Sequence, residues 1–425
     1  MVRTFCAGQK RQKDRRVLKD KGSMKESYFK GENLSERARK NLFILDAIRR
    51  RGPISKTDIS GLIGLNVVTV SNYVDDFLHQ KIVFEKEFDV SKGGRRPLLL
   101  DLNASSGYTM GIGVNLLNTI GVVTDLSGRI VHKVKKDKAG CHVKEVVDSI
   151  LEIAGELMDR AKNERPRIRG IGIGIAGVVD SRREKVRWPE RVGDSYHYVD
   201  VTIPLKDILE REFRYPVVIE NDATVACFGE QWLALESDVK DLVYMFSGVG
   251  CGLMLNNEIY RGYSGCAGEV AIHSDRRQTP YFLDRWEADC GIREEYLKLS
   301  KWSKDASGQK GASLDPEKVT LGSIFEAAKK GEPLAIDIVR KAGQRLGVRT
   351  AYLVNLLNPQ MVIIGGGIEQ AGIALIEEIR QAVGEWCFQE AAGAVKIIPS
   401  RLGEDAIALG AASLIIRHTF AEVGE

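Results

Sequence analysis

Apolar positions recur at helical spacing through residues 41–51, where Leu42, Leu45 and the Ala47/Ile48 pair share a face and arginines close the end. Gly52-Pro53 stops that helix. Ser55-Lys56-Thr57-Asp58 has the capping-box pattern, which predicts a second helix from Ser55 that buries Ile59, Leu62 and Ile63. Gly64-Leu65 supplies a tight turn, and Asn66 is a suitable N-cap for a third helix from Val67 to about Leu78. There Val70, Val74, Phe77 and Leu78 can face inward, leaving Thr69, Ser71, Asn72 and Tyr73 outward. Residues 82–85 and 97–100 read as the two strands of a wing, with Gly93-Gly94-Arg95-Arg96-Pro97 between them.

A first helix followed by two short helices across a glycine turn is the helix-turn-helix arrangement. The outward Thr69, Ser71, Asn72 and Tyr73 would meet base edges or phosphates in the major groove. Paired Arg95 and Arg96 on a glycine-rich loop suit a phosphate or a narrow minor groove. A trihelical protein-interaction module with a charged loop is the plainer alternative; the ordered succession of cap, turn, polar helix, wing and GGRRP favours DNA.

Beyond residue 105 strands alternate with helices, which predicts an α/β architecture. Residues 108–115, 119–124 and 130–134 read as strands, with a hairpin turn at Asp125-Leu126-Ser127-Gly128. Residues 143–161 read as a helix and 169–176 as a glycine-rich strand that permits close backbone approach. From Asp241 the strand-turn-strand order repeats, with a second turn at Asn256-Asn257-Glu258, so two related lobes with a cleft between them are expected. Gly172-x-Gly174-x-x-Gly177 matches a dinucleotide fingerprint only formally. The following Val178-Val179-Asp180-Ser181 is strand or turn, not a helix N-terminus that could receive a pyrophosphate.

Composition narrows the setting. The chain has 425 residues, 44% hydrophobic and 28% charged, which suits two or three globular domains. The longest mostly apolar stretch, residues 406–416, is far short of a membrane span, and the basic N-terminus lacks the apolar core of a signal peptide, so the cytoplasm is expected. Net charge is only +4, yet residues 1–30 carry ten Lys/Arg against three Asp/Glu. That segment reads as disordered: a solvated tail, an extension ahead of a start at Met24, or an arm that touches DNA phosphates. The seven cysteines are scattered without a CxxC pair, as expected of reduced, mostly buried thiols.

The succession GIGIAG (172–177), PVVIENDA (216–223), SGVGCG (247–252), Tyr260-Arg261-Gly262, Ala267-Gly268-Glu269, VIIGGG (362–367) and Leu409-Gly410-Ala411 resembles the ROK family of sugar kinases and sugar-responsive repressors. With the helix-turn-helix and GGRRP, the resemblance covers about residues 36–418 and is to the repressor branch. It implies an actin/hexokinase-like (ribonuclease H-like) two-lobed α/β domain behind a winged helix-turn-helix. It maps the catalytic base of the kinases onto Asp222 and sugar contacts onto Asn221 and Glu269. The alternative is that Asn221-Asp222 only shapes the turn before a helix over 223–232.

Departures from the family pattern matter more. The phosphate-handling Asp of the kinases falls at Gly113, and the glycines and threonine that follow it become Asn115, Leu116 and Leu117. Without that carboxylate, metal-bridged phosphates lose their anchor, so no kinase activity is expected and ATP binding is in doubt. The family's zinc site reduces to Cys290, with His273 one position late, too few ligands for a tetrahedral site. Glu190 stands where the family has Asn near the sugar. The expected organisation is a basic arm (1–33), a winged helix-turn-helix (34–100), a first lobe (101–225, with return of 402–425) and a second lobe (226–401), hinged within 100–107. The expected function is a sugar-sensing regulator, most simply a repressor. It would bind effector at Asn221, Asp222, Glu269, Glu190 and His273 and bind operator DNA as a homodimer or homotetramer. A sugar kinase that retains a DNA-binding domain is the alternative.

Overall fold

The computed structural model describes residues 34–424 apart from 87–97, 138–142, 181–184, 193–194, 200–203, 236–237, 247–249, 271–290 and 308–315. The N-terminal unit contains α1 (Glu36–Arg51), β1 (Ile54–Ser55), α2 (Lys56–Ile63), α3 (Val67–His79), β2 (Val83–Lys86) and β3 (Leu99–Leu102). Each helix starts where the sequence offers a cap. Ser35 accepts from Ala38 N, Ser55 from Asp58 N and Asn66 from Thr69 N, satisfying amides that the helices leave orphaned. Gly64 closes α2 at φ 72°, a conformation that side chains resist. Both wing strands lie one to two residues later than the apolar pattern implies, and β1 adds a third strand against β3.

The inward face is as patterned at Ile59, Val70, Val74 and Phe77. Four positions differ. Leu62 is 53% exposed, Ile63 and Leu78 are only half-buried, and Tyr73 turns inward. Tyr73 packs beside Phe77 and under the guanidinium of Arg37, because α1 covers that flank of α3.

The first lobe follows: β4 (Tyr108–Val114), β5 (Asn118–Asp125), β6 (Ile130–Asp137), α4 (Val143–Arg160), β7 (Ile168–Ile175), β8 (Val178–Asp180), β9 (Lys185–Val192), β10 (Ser195–Val199), α5 (Leu205–Phe213), β11 (Val217–Asn221) and α6 (Asp222–Gly229). A π-helical turn, Glu230–Ala234, continues α6, so the predicted single helix over 223–232 changes form at residue 230. The second lobe adds β12 (Leu242–Phe246), β13 (Gly250–Leu255), β14 (Glu258–Ile259), α7 (Ile292–Ser307), α8 (Leu321–Lys329), α9 (Pro333–Leu357), β15 (Met361–Gly365), α10 (Ile373–Trp386), α11 (Gln389–Ala394) and β16 (Lys396–Pro399). The last helix, α12 (Ala406–Ala421), returns to the first lobe and packs on β4 and β7.

The two main sheets have the orders β6-β5-β4-β7-β11 and β14-β13-β12-β15-β16. Numbered within each lobe, both are 3-2-1-4-5, with the first three strands antiparallel and the last two parallel to the first. This is the duplicated fold that the repeated hairpins imply. Helices α6 and α12 lie together between the lobes: α12 against the first sheet, α6 against β12 and β13 of the second. Of the four described cysteines, Cys227 and Cys251 are buried, Cys387 is half-buried and Cys266 is exposed. No helix among the described residues is long and apolar enough to cross a membrane.

Candidate effector cleft and its link to the helix-turn-helix

The motif around residue 221 ends β11, and there the chain turns directly into α6. Asn221 caps the helix through Oδ1, which accepts from Thr224 N at 3.1 Å, while its Nδ2 donates to Gly177 O at 3.1 Å. Asp222 is the first helical residue, 5% exposed, with Oδ1 accepting from its neighbour Ala223 N at 2.7 Å. Glu220, just before them, is gripped by Arg261 of the second lobe at 2.7 Å. The Tyr260-Arg261-Gly262 segment thus ties the lobes at the cleft, a role that its sequence does not announce.

Glu269 reaches the same region from the other side. It forms an isolated bridge with Gly250 at the start of β13, and Cys251 N donates to Gly268 O at 2.8 Å. Burial pushes the Cys251 thiol up to about 12, and the Glu269 charge nearby pushes the same way. One residue on, Gly252 lies so close to α6 that a Cβ there would overlap Ala223 O. Asp222 and Glu269 therefore flank one interlobe contact. Glu190 sits in β9 opposite His197 of β10; its side chain, like His273, Arg95 and Arg96, lies outside the described residues.

The end of β4, onto which the resemblance maps the phosphate-handling residues of the kinases, is tightly packed. A Cβ on Gly113 would lie 2.9 Å from Ala408 N and overlap Ile407 of α12, so this strand position, onto which the resemblance maps the kinase Asp, has no room for any side chain. Neighbouring Gly111, Gly172 and Gly174 press on α12 in the same way, so the first two glycines of the formal GxGxxG match admit a helix, while Gly177 is held at φ 102°. Asn115 is buried and spends its Oδ1 on Leu117 N and Asn118 N. Leu116 crosses the cleft. Its N–H donates to Gly366 O at 3.1 Å, and its side chain joins the hydrophobic core of the second lobe. Leu117 and Leu116 also lie against Gly367.

Beneath this contact lies a carboxyl cluster that the sequence does not reveal. Glu230 is fully buried and accepts from Ser400 Oγ at 2.5 Å and Leu402 N at 3.0 Å. Glu369 accepts from Gly367 N at 2.8 Å, and its Oε1 is out of water without a hydrogen-bond partner. Burial pushes both carboxyls upward, Glu369 to about 7. Single acidic residues on a π turn and a 3-10 turn carry no spacing signal that marks them as neighbours.

The helix-turn-helix unit is joined to both interlobe helices. Asn41 Nδ2, buried in α1, donates to Ala421 O and Val423 O at the end of α12. At the other end of α1, Arg49 donates to Trp232 O at 2.7 Å, and Arg50 to Gln231 O and Leu235 O at 3.1 and 3.0 Å. Asp46 holds both guanidiniums in place. These arginines satisfy carbonyls at the end of the helical stretch that Asp222 begins. Gln231 in turn donates to Asn257 of the second lobe at 2.6 Å. The connector after β3 is pinned to the first lobe, with Ala104, Ser105 and Ser106 carbonyls accepting from Leu126 N, Arg167 and Arg169. Hinge motion within 100–107 has to break these bonds.

The ROK family model matches residues 109–418. The chain belongs to the ROK family. ROK proteins similar to it include the xylose repressor of Caldicellulosiruptor bescii, 29% identical over 396 residues, covering 88% of this chain and 94% of that protein. Among solved structures, a ROK family transcriptional regulator described as a homologue of the Escherichia coli MLC protein superposes with a TM-score of 0.68 at 21% identity, covering 91% of this chain and 97% of that one. A ROK glucokinase from Streptomyces griseus, in complex with glucose and AMPPNP, superposes at 0.59 with 24% identity, covering 72% of this chain and 99% of that one. Both ROK likenesses establish the actin-like α/β fold.

Proposed function

We propose that this ROK protein is a sugar-responsive transcriptional repressor of carbohydrate metabolism that has lost phosphoryl transfer. The observation that carries the reading is the pairing of a sealed phosphate end with a retained polar end. Gly113 is closed over by Ile407 and Leu116 is built into the second lobe's core, whereas Asn221 and Asp222 are kept where β11 enters α6 and Glu269 is bridged to Gly250 of the second lobe. A carboxylate such as Asp222 accepts two hydroxyls of a polyol, and the second amide proton of Asn221 donates to a third oxygen. Glu190 and His273 complete the proposed effector set. The relative named a xylose repressor makes a pentose the first effector to try.

Occupancy reaches the DNA-binding unit along α6. Asp222 begins that helix and its π-helical continuation ends in the carbonyls that Arg49 and Arg50 hold, while α12 holds the other half of α1 through Asn41. A sugar that prefers one lobe spacing moves these two anchors relative to each other and re-aims the recognition helix. Two such units in a homodimer or homotetramer would read a pseudo-palindromic operator, with Arg95 and Arg96 on the flanking backbone.

Fluorescence anisotropy on DNA from the chain's own upstream region, titrated with xylose and other sugars, tests this. A sugar is expected to lower DNA affinity, and Asp222→Asn to abolish that response while leaving affinity without sugar unchanged. DNA affinity indifferent to every pentose and hexose, or a response that survives Asp222→Asn, overturns it.

A further inference from the structure

The face of α3 that the helix-turn-helix leaves open differs from the one its sequence suggests. Tyr73 is taken up by Phe77 and Arg37. Ser71 Oγ accepts from Lys56 Nζ at 2.9 Å, and the same ammonium pairs with Asp75 at 3.1 Å. Thr69 is half-buried, its amide held by Asn66. What stands clear on the first two turns is Val67, at the helix start, and the pair Val68 and Asn72, of which Val68 is far more exposed than Val67. Val68 is 72% exposed, the highest value among the exposed large apolar residues of the DNA-binding unit. A β-branched residue has modest helix propensity, and here it buries almost nothing, so neither helix formation nor core packing accounts for it.

Val68 and Asn72 are four residues apart and so stand on one side of the helix, with Cβ atoms about 6 Å apart. That spacing lets them meet neighbouring base pairs. In the major groove the apolar feature is the thymine C5-methyl, and the edge that matches a carboxamide's paired donor and acceptor is adenine N6/N7. The next exposed residue on that side, Asp75, is acidic and would repel phosphate were it not held by Lys56, which fits a helix that enters by its N-terminal turns.

We propose that Val68 and Asn72 are the base-reading residues of α3, and that each operator half-site carries A·T pairs beneath them, a thymine methyl against Val68 and an adenine against Asn72. This rests on the DNA-binding reading above and specifies what that surface reads. Thr69, Ser71 and Tyr73 then position the helix.

The test uses the full-length chain and a random-sequence duplex library, followed by uracil replacement of each thymine in the selected site. Selected half-sites are expected to hold A·T pairs at two nearby positions, and removing one methyl per half-site should weaken binding several-fold. Val68→Ala should bind the thymine and uracil duplexes equally. Asn72→Ala should lose about tenfold of discrimination for adenine over 7-deaza-adenine, as a bidentate contact implies. Both substitutions are on the surface, so unchanged circular dichroism and unchanged sugar binding should accompany them. A wild-type chain indifferent to uracil at every thymine, or a uracil penalty that persists in Val68→Ala, overturns the inference while leaving DNA binding standing. Selection of no sequence at all overturns the DNA-binding reading itself.

Discussion

Arg49 of the DNA-binding unit lies over the ring of Trp232, its guanidinium carbon 4.7 Å from the centroid, while donating to the same residue's carbonyl. One side chain thereby grips both the ring and the backbone of the turn that continues α6. Burial pushes the Arg49 pKa down and Asp46 pulls it back, as for a charge that folding has taken out of water with its partner. Arg49→Ala leaves Asp46 and the Trp232 carbonyl short of a donor. We expect a stability loss on the order of 2–3 kcal/mol, read from urea midpoints. DNA affinity should also become insensitive to sugar while sugar binding is retained. Full sugar response in the folded variant would exclude this contact as the route.

Restoring the kinase aspartate should not restore a kinase. Gly113→Asp drives its Cβ into Ile407 and towards Ala408 N, both on α12. Overpacking and a buried, unpaired carboxylate together should cost about 3 kcal/mol or more, seen as a markedly lower Tm. A folded Gly113→Asp chain with wild-type Tm would show that α12 is not seated where its glycine bed puts it.

Glu369 gives a pH dependence of defined sign. Its ordinary value is 4.5 and burial raises it to about 7, with the charges of Glu230 and Glu404 pushing the same way. The folded chain then holds a proton that the unfolded chain has released, so stability falls as pH rises from 4.5 to about 7 and the loss is complete above that. The full effect is about 3 kcal/mol at ~1.4 kcal/mol per pKa unit. Glu230, also raised by burial, adds to the trend. Glu369→Gln should flatten the difference in urea midpoint between pH 5.5 and pH 8; an unchanged difference contradicts the assignment.

Arg95→Ala with Arg96→Ala should weaken DNA binding and reduce the slope of log affinity against log salt by about 0.9 for each phosphate that an arginine no longer neutralises. Effector affinity should stay the same. Operator affinity that survives both changes removes the wing from the DNA interface.

Local chemistry is legible in the sequence, and long-range chemistry is not. Ser55, Gly64 and Asn66 announce the helix-turn-helix because caps and left-handed turns act within a few residues. The repeated hairpins announce the two sheets. Tyr73 and Leu62 depart from the pattern because helical spacing does not say which flank α1 will cover. The Gly113 departure is visible in the sequence, but its steric meaning comes from Ile407, nearly three hundred positions away. Likewise nothing near Arg49-Arg50 points to Trp232, and nothing near Glu220 points to Arg261. Such pairs exist only once the lobes are assembled.

The most direct test of a cleft that senses sugar without phosphorylating it is label transfer from γ-labelled ATP with magnesium to a panel of pentoses and hexoses, catalysed by the purified full-length chain. No labelled sugar phosphate above the protein-free blank is expected for any sugar, including those that release DNA. Sugar phosphate formed at a kcat of about 1 s⁻¹ or faster, within the ordinary range for enzymes, would contradict it.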